Sequence, residues 1–184
     1  MLPLLNELGQ GCVLILGGAK SGKSHLALSL CKGFEGRKVF LATAQALDRE
    51  MALRIERHKK ERSGDWETVE EPLDLASAVA KLDIVRTVIV IDCLTLWLNN
   101  MLMEYGDDVE AIEGAIARFI KVLKGIRHSV VVVVSNEVGL GIVPDNPLAR
   151  RFRDLAGSLN QQVASLSKKV IVVWAGIPNL IKGQ

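Results

Sequence analysis

Gly17-Gly18-Ala19-Lys20-Ser21-Gly22-Lys23-Ser24 sets a glycine, four residues, then Gly-Lys-Ser, the spacing of a loop that turns successive backbone N–H groups onto phosphate oxygens. Glycines at 17, 18 and 22 permit backbone angles and a close approach that a Cβ would block. Lys23 is placed to reach the β- and γ-phosphates of a nucleotide, and Ser24 to set its hydroxyl on the Mg²⁺ that bridges them. The apolar run Cys12–Leu16 before the loop reads as a buried strand, and His25–Cys31 after it reads as the first turns of a helix. A strand, this loop and a helix in that order form the context that phosphate binding requires.

A second chemical position lies at Asp92, where the apolar strand Arg86–Ile91 closes on a carboxylate. Following a phosphate loop, such an aspartate is the Walker B candidate, holding the metal from the opposite side. The competing use is to cap the helix that begins at Leu94-Thr95-Leu96-Trp97.

The third position is a basic segment, Arg49 to Arg62, which carries six arginines and lysines besides His58. As a helix it sets Arg54, His58 and Arg62 at i, i+4 and i+8 on one face, with Lys59 beside them. Neighbouring cations disfavour the imidazolium and keep a ring nitrogen lone pair available near neutrality, the state a nucleophile needs. Taken alone the segment reads more simply as a charged solvated face, with Glu56 and Glu61 balancing part of the charge. His25 directly follows the loop on its helix, and His128 falls near a helix C-terminus.

The elements that must position these groups alternate. Strand-like runs fall at 12–16, 38–42, 87–92, 130–135 and 169–174, with a shorter one near 66–70, and helices are expected over 22–32, 47–62, 74–81, 109–127 and 148–168. Several runs are continuously Val, Ile and Leu, so they are expected to be buried on both faces, as parallel strands covered by helices are. The expected fold is α/β, P-loop NTPase-like, with a mostly parallel sheet covered by helices on both faces. Residues 1–10 read as a short N-terminal extension, and 11–184 as one nucleotide-binding catalytic domain; 184 residues suit one domain. The loop 136–147 follows a strand where α/β sheets place ligand contacts. It is open to a substrate, to a neighbouring subunit, or to a plain connection with Asn146-Pro147 starting a helix.

Charge excludes some classes. With 23 basic and 21 acidic side chains the chain is nearly balanced at +2, so no global field or extended basic surface points to nucleic acid or to a membrane surface. The longest apolar runs are too short to span a bilayer. Cys12, Cys31 and Cys93 show no CxxC pair and lie in apolar runs, as reduced core residues of a cytoplasmic protein do.

These residues together resemble the bifunctional adenosylcobinamide kinase and adenosylcobinamide-phosphate guanylyltransferase family of cobalamin biosynthesis. The resemblance runs nearly end to end. Besides the phosphate loop it rests on Ala42-Thr43-Ala44-Gln45, Arg54-Ile55-Glu56-Arg57-His58-Lys59, Asp92-Cys93-Leu94-Thr95-Leu96-Trp97, Ser135-Asn136-Glu137-Val138-Gly139-Leu140-Gly141-Ile142-Val143-Pro144, and Arg150–Gly157 with Asn160-Gln161. It implies that His58 attacks the α-phosphorus of GTP and carries GMP as a phosphoramidate. The phosphate of adenosylcobinamide phosphate then displaces the histidine, giving adenosylcobinamide-GDP. The kinase activity supplies that phosphate from ATP or GTP. It also implies that Thr43, Ala44, Gln45, Lys59, Lys60, Glu61, Arg62, Glu70 and Asp92 line the GTP site, with Ser24 and Asp92 on Mg²⁺, and that the assembly is a homotrimer. Some members of the family carry glutamate at the position of Asp92 or a second histidine at that of Arg57; a carboxylate survives the first change, and the second leaves His58 as the segment's one candidate nucleophile.

Two other readings compete. One is a simple P-loop kinase of a small metabolite with no covalent intermediate, and the other is a nucleotide-binding regulatory switch. The lack of an Asn-Lys-x-Asp-like guanine signature in the late strands counts against the common GTPase plan.

Overall fold

The computed structural model describes residues 9–46, 49–60, 62 and 64–183, with the side chains of Glu50, Arg54, Arg57, His58 and Lys60 outside that description. The chain runs β1 (Gly11–Gly17), α1 (Lys23–Leu30), β2 (Arg37–Ala42), α2 (Arg49–Lys60), β3 (Trp66–Glu70), α3 (Leu75–Leu82), β4 (Thr87–Asp92), α4 (Leu94–Tyr105), α5 (Val109–Gly125), β5 (Val130–Asn136), α6 (Pro147–Leu166), β6 (Lys169–Trp174) and β7 (Ile177–Lys182). The strands form one sheet in the order β3-β2-β4-β5-β1-β6-β7. Every pairing is parallel except that of β6 with β7.

Continuous apolar runs follow from burial on both sides. Alternate residues of each strand point to opposite faces, and each face has its own core. On one face Leu14, Leu41, Ile91 and Val133 meet the apolar sides of α3, α4, α5 and α6, with Trp97 and Phe119 packed at 5.0 Å between ring centroids. On the other, Val13, Ile15, Val90 and Val132 meet Ala27, Leu30 and Cys31, the first two from α1 and the third at its C-cap. The three cysteines are buried and unpaired. Burial pushes the Cys12 thiol up to about 11 and that of Cys31 up to about 12, and raises that of Cys93 as well.

Two elements exceed the sequence expectation. The first is β7, which folds back antiparallel on β6 through Ala175 and Gly176, both at positive φ (49° and 82°). Its Pro178 is tolerated because β7 is an edge strand. The second is α4, which continues for 12 residues from the helical start expected at Leu94. The N-terminal extension falls almost wholly outside the described residues, as does Glu61. Among the described residues no helix is long and apolar enough to cross a membrane.

Candidate active site

In a parallel sheet the C-terminal ends of all strands open on one edge, and there the chemistry-bearing residues gather. Gly17 ends β1, Glu70 ends β3, Asp92 ends β4 and Asn136 ends β5, while Thr43 follows β2. The phosphate loop leaves β1 at this edge and enters α1 through Gly22, which holds the N-cap at φ 101°. Its shape is fixed from β6 and the turn after it: the Gly176 N–H donates to the Ser21 carbonyl at 2.9 Å, and a Cβ on Gly17 would collide with the Val173 carbonyl. Lys23 is buried and folds back across the loop, its Nζ donating to the Gly18 carbonyl at 2.5 Å. Ala19 and Lys20 form the exposed tip of the loop. Half-buried Ser24 is the second residue of α1.

Asp92 is not the cap of α4. The N-cap position is Cys93, without a side-chain cap bond. Thr43 holds that residue by its backbone: its Oγ1 accepts the Cys93 N–H at 2.8 Å and donates to the Cys93 carbonyl at 2.8 Å. Asn100, buried in α4, donates to the Thr43 and Pro72 carbonyls at 2.7 and 3.1 Å, and so ties the loops after β2 and β3 to α4. These contacts make Thr43 the fastening between β2 and the strand end that carries Asp92. Ala44 and Gln45 remain half-buried beyond it.

The C-terminal part of the basic segment reaches the same edge. Lys59 Nζ pairs with Glu70 Oε1 at 2.7 Å. The Arg62 guanidinium lies 4.0 Å over the Phe40 ring and donates to Thr68 Oγ1 at 3.2 Å. Burial pulls its pKa down, against the attraction of Asp92 and Glu70. Arg62 is therefore a partly desolvated cation within the field of the Asp92 carboxylate. It also bounds a cleft of about 560 Å³ whose other walls include Ser24, His25, Leu28 and Trp66. Arg62 thus shares a cleft with Ser24 and an electrostatic field with Asp92 and Glu70, and Glu70 in turn holds Lys59. The side chains of His58 and Lys60 lie outside the described residues, although the backbone of both belongs to α2.

Sequence reasoning quoted Thr95 and Asn136 only as motif residues without a role, and did not single out Asn100. Asn136 Nδ2 donates to Thr95 Oγ1 at 2.8 Å, and Thr95 Oγ1 lies 3.1 Å from Cys93 Sγ. The available signal was a polar pair closing the Val130–Val134 run, which is buried throughout. The loop beyond it exposes Leu140, Ile142 and Val143. Among the described residues no group of three or more His, Cys, Asp or Glu side chains could hold a metal.

The family described as cobinamide kinase / cobinamide phosphate guanyltransferase, CobU, matches residues 13–181. The chain is 42% identical over 171 residues to the bifunctional adenosylcobalamin biosynthesis protein CobP of Pseudomonas aeruginosa, covering 93% of this chain and 97% of that protein. It is 40% identical over 180 residues to the bifunctional adenosylcobalamin biosynthesis protein CobU of Escherichia coli, covering 92% and 99%. Among solved structures it is similar to a prototypical ATPase from the type III secretion system of pathogenic bacteria, with TM-score 0.55 at 14% identity. That match covers 88% of this chain but spans only 50% of the ATPase. A protein from Pyrococcus horikoshii, PH0250, is similar at TM-score 0.54 and 8% identity, covering 94% of this chain and 86% of its own. These two likenesses concern the fold alone.

Proposed function

This chain belongs to the cobinamide kinase / cobinamide phosphate guanyltransferase family, and from that premise we propose that its phosphate loop and basic segment serve one guanylyl transfer through His58. The enzyme is a bifunctional kinase and guanylyltransferase of adenosylcobalamin biosynthesis. In the transfer a His58 ring nitrogen attacks the α-phosphorus of GTP; the N–P bond forms, the bond from the α-phosphorus to the bridging oxygen breaks, and pyrophosphate leaves. A phosphate oxygen of adenosylcobinamide phosphate then attacks the same phosphorus, the N–P bond breaks, and adenosylcobinamide-GDP is released. Splitting one displacement into two is what a nucleophilic side chain contributes.

The observation that supports this reading is the cleft lined both by Ser24, the last residue of the phosphate-loop motif, and by Arg62, the last residue of the basic segment. The loop N–H groups and Lys23 hold the β- and γ-phosphates, while Arg62 and Lys59 face the negative charge that spreads over the phosphoryl oxygens. Thr43, Ala44, Gln45, Lys60, Glu61 and Glu70 complete the nucleotide contacts. Ser24 and Asp92 offer a hydroxyl and a carboxylate, hard oxygen donors of the kind Mg²⁺ takes together with phosphates and water. Bound there, Mg²⁺ supplies charge neutralisation across the phosphates. ATP or GTP serves the kinase step, the corrinoid is the acceptor, and the working assembly is a homotrimer in the cytoplasm.

The test is intact-protein mass after incubation with Mg²⁺ and GTP, for wild type and His58→Ala. An acid-labile GMP adduct on the wild type alone is expected. No adduct on a folded, nucleotide-binding wild type would replace this reading with a simple kinase.

A further inference from the structure

We infer that Glu137 is the general base of the kinase step, the group that takes the proton from the acceptor hydroxyl; this rests on the kinase activity assigned above. β5 lies between the strand that feeds the phosphate loop and the strand that ends in Asp92. Its register sets Asn136 beside Gly17, and Val134 beside Asp92. Glu137 is therefore the first residue beyond the sheet between the two. It is held there by three bonds: its own N–H donates to the Gly17 carbonyl at 3.1 Å, Asn136 Nδ2 donates to Thr95 Oγ1 at 2.8 Å, and Asn160 Nδ2 donates to the Asn136 carbonyl at 3.2 Å.

The other carboxylates at this edge have work already. Asp92 lies in the field of Arg62 and is the carboxylate proposed above for Mg²⁺, Glu70 pairs with Lys59, and Glu71 Oε1 accepts the N–H groups of Leu73 and Asp74 at 3.0 and 2.8 Å. Glu137 uses one oxygen, Oε1, to accept the Gly139 N–H at 2.7 Å, and its second oxygen has no partner among the described residues. A half-buried carboxylate with one oxygen anchored and the other open is oriented to receive a proton. In the step, the acceptor oxygen bonds to the γ-phosphorus, the bond from that phosphorus to the β–γ bridging oxygen breaks, and the nucleoside diphosphate leaves. The hydroxyl proton passes to the open Glu137 oxygen and from there to water.

Glu137→Gln tests this, because the amide keeps the side-chain length and an oxygen for the Gly139 N–H but cannot take the proton. Phosphorylation of cobinamide is followed at varied Mg·ATP, with nucleotide binding checked by calorimetry. The expected result is a kcat lower by about 100-fold or more at a nucleotide KM within about threefold of wild type. A kcat within about threefold would overturn the inference. Should the glutamine variant not fold, Glu137→Ala with added formate takes its place: a rate that rises with formate supports the base, and a folded variant that formate leaves inactive refutes it. A wild type that never phosphorylates cobinamide would instead strike the assigned kinase activity, so the two failures are distinct.

Discussion

Thr43 holds Cys93 by both of that residue's backbone groups, accepting its N–H and donating to its carbonyl at 2.8 Å each. The Thr43 N–H adds a third bond, to the Asp92 carbonyl at 3.3 Å. All of this is buried, with Thr43 at 0% exposure. A hydroxyl just beyond β2 therefore pins the backbone of the residue that opens α4, at the strand end that carries Asp92.

Replacing Thr43 by Val keeps the shape but leaves the buried Cys93 N–H without that partner, while the Cys93 carbonyl keeps the Trp97 N–H at 3.1 Å. Each buried group left unpaired costs about 1–3 kcal/mol, so the valine variant should lose about 2–3 kcal/mol in urea unfolding at an unchanged slope. Thr43→Ser retains the hydroxyl and should lose less than about 1.5 kcal/mol, in the range of one buried methyl group. Equal losses in the two variants would show that packing, and not the paired hydroxyl, is what Thr43 supplies.

Two adjacent glycines should separate fold from binding. Gly17 sits at φ 154°, and a Cβ there would meet the Val173 carbonyl and lie 2.7 Å from Ser21 Oγ, whereas a Cβ on Gly18 has nothing within 4 Å. Gly17→Ala must push β1 and the loop away from β6, which should cost about 1–3 kcal/mol in the manner of an overpacked core and weaken nucleotide binding as well. Gly18→Ala should melt near the wild type, yet bind nucleotide more weakly because its methyl crowds the backbone that approaches phosphate. Thermal melts with and without Mg·ATP read both; a destabilised Gly18→Ala would overturn the contrast.

The phosphate loop and the parallel core were legible because they depend on local spacing and on runs such as Val130–Val134 that are apolar whichever way they face. The fastening of Thr43 to Cys93 was not, since its partner lies 50 residues away and a threonine after a strand is as ready to meet a ligand as a neighbouring backbone. β7 was missed for a physical reason too: Pro178 argues against a strand unless the strand is at an edge, and Ala175 is an unusual residue for the positive φ that its turn demands. α4 was legible only at its start, because Leu94, Thr95, Trp97, Leu98, Met101 and Leu102 bury so much of its surface that no polar face marks its period. Of the candidate site, Asp92 and Arg62 stand out in the sequence one by one, but their mutual field depends on the loop between α2 and β3 bringing Arg62 over Phe40.

Asp83 carries the last prediction, which concerns pH. It closes α3 and receives four donors from the turn that enters β5: the N–H groups of Arg127, His128 and Ser129 and the hydroxyl of Ser129, at 2.8–3.1 Å. Burial alone would raise its pKa, but these bonds outweigh it and hold the carboxyl below the ordinary aspartate value of 3.8. A folded pKa below the unfolded one means stability that is fully present above 3.8 and lost as the pH falls through the folded value. Asp83→Asn turns one acceptor into a donor facing these N–H groups, so it should be less stable than wild type by about 1–2 kcal/mol near neutrality, a figure kept low because the carboxyl is partly solvated. Urea unfolding from about pH 7 down to about pH 3 should show the gap closing only at the acid end, where wild type also loses its charge. A gap that stays constant across that range would mean the turn is held by shape and not by the carboxylate's charge.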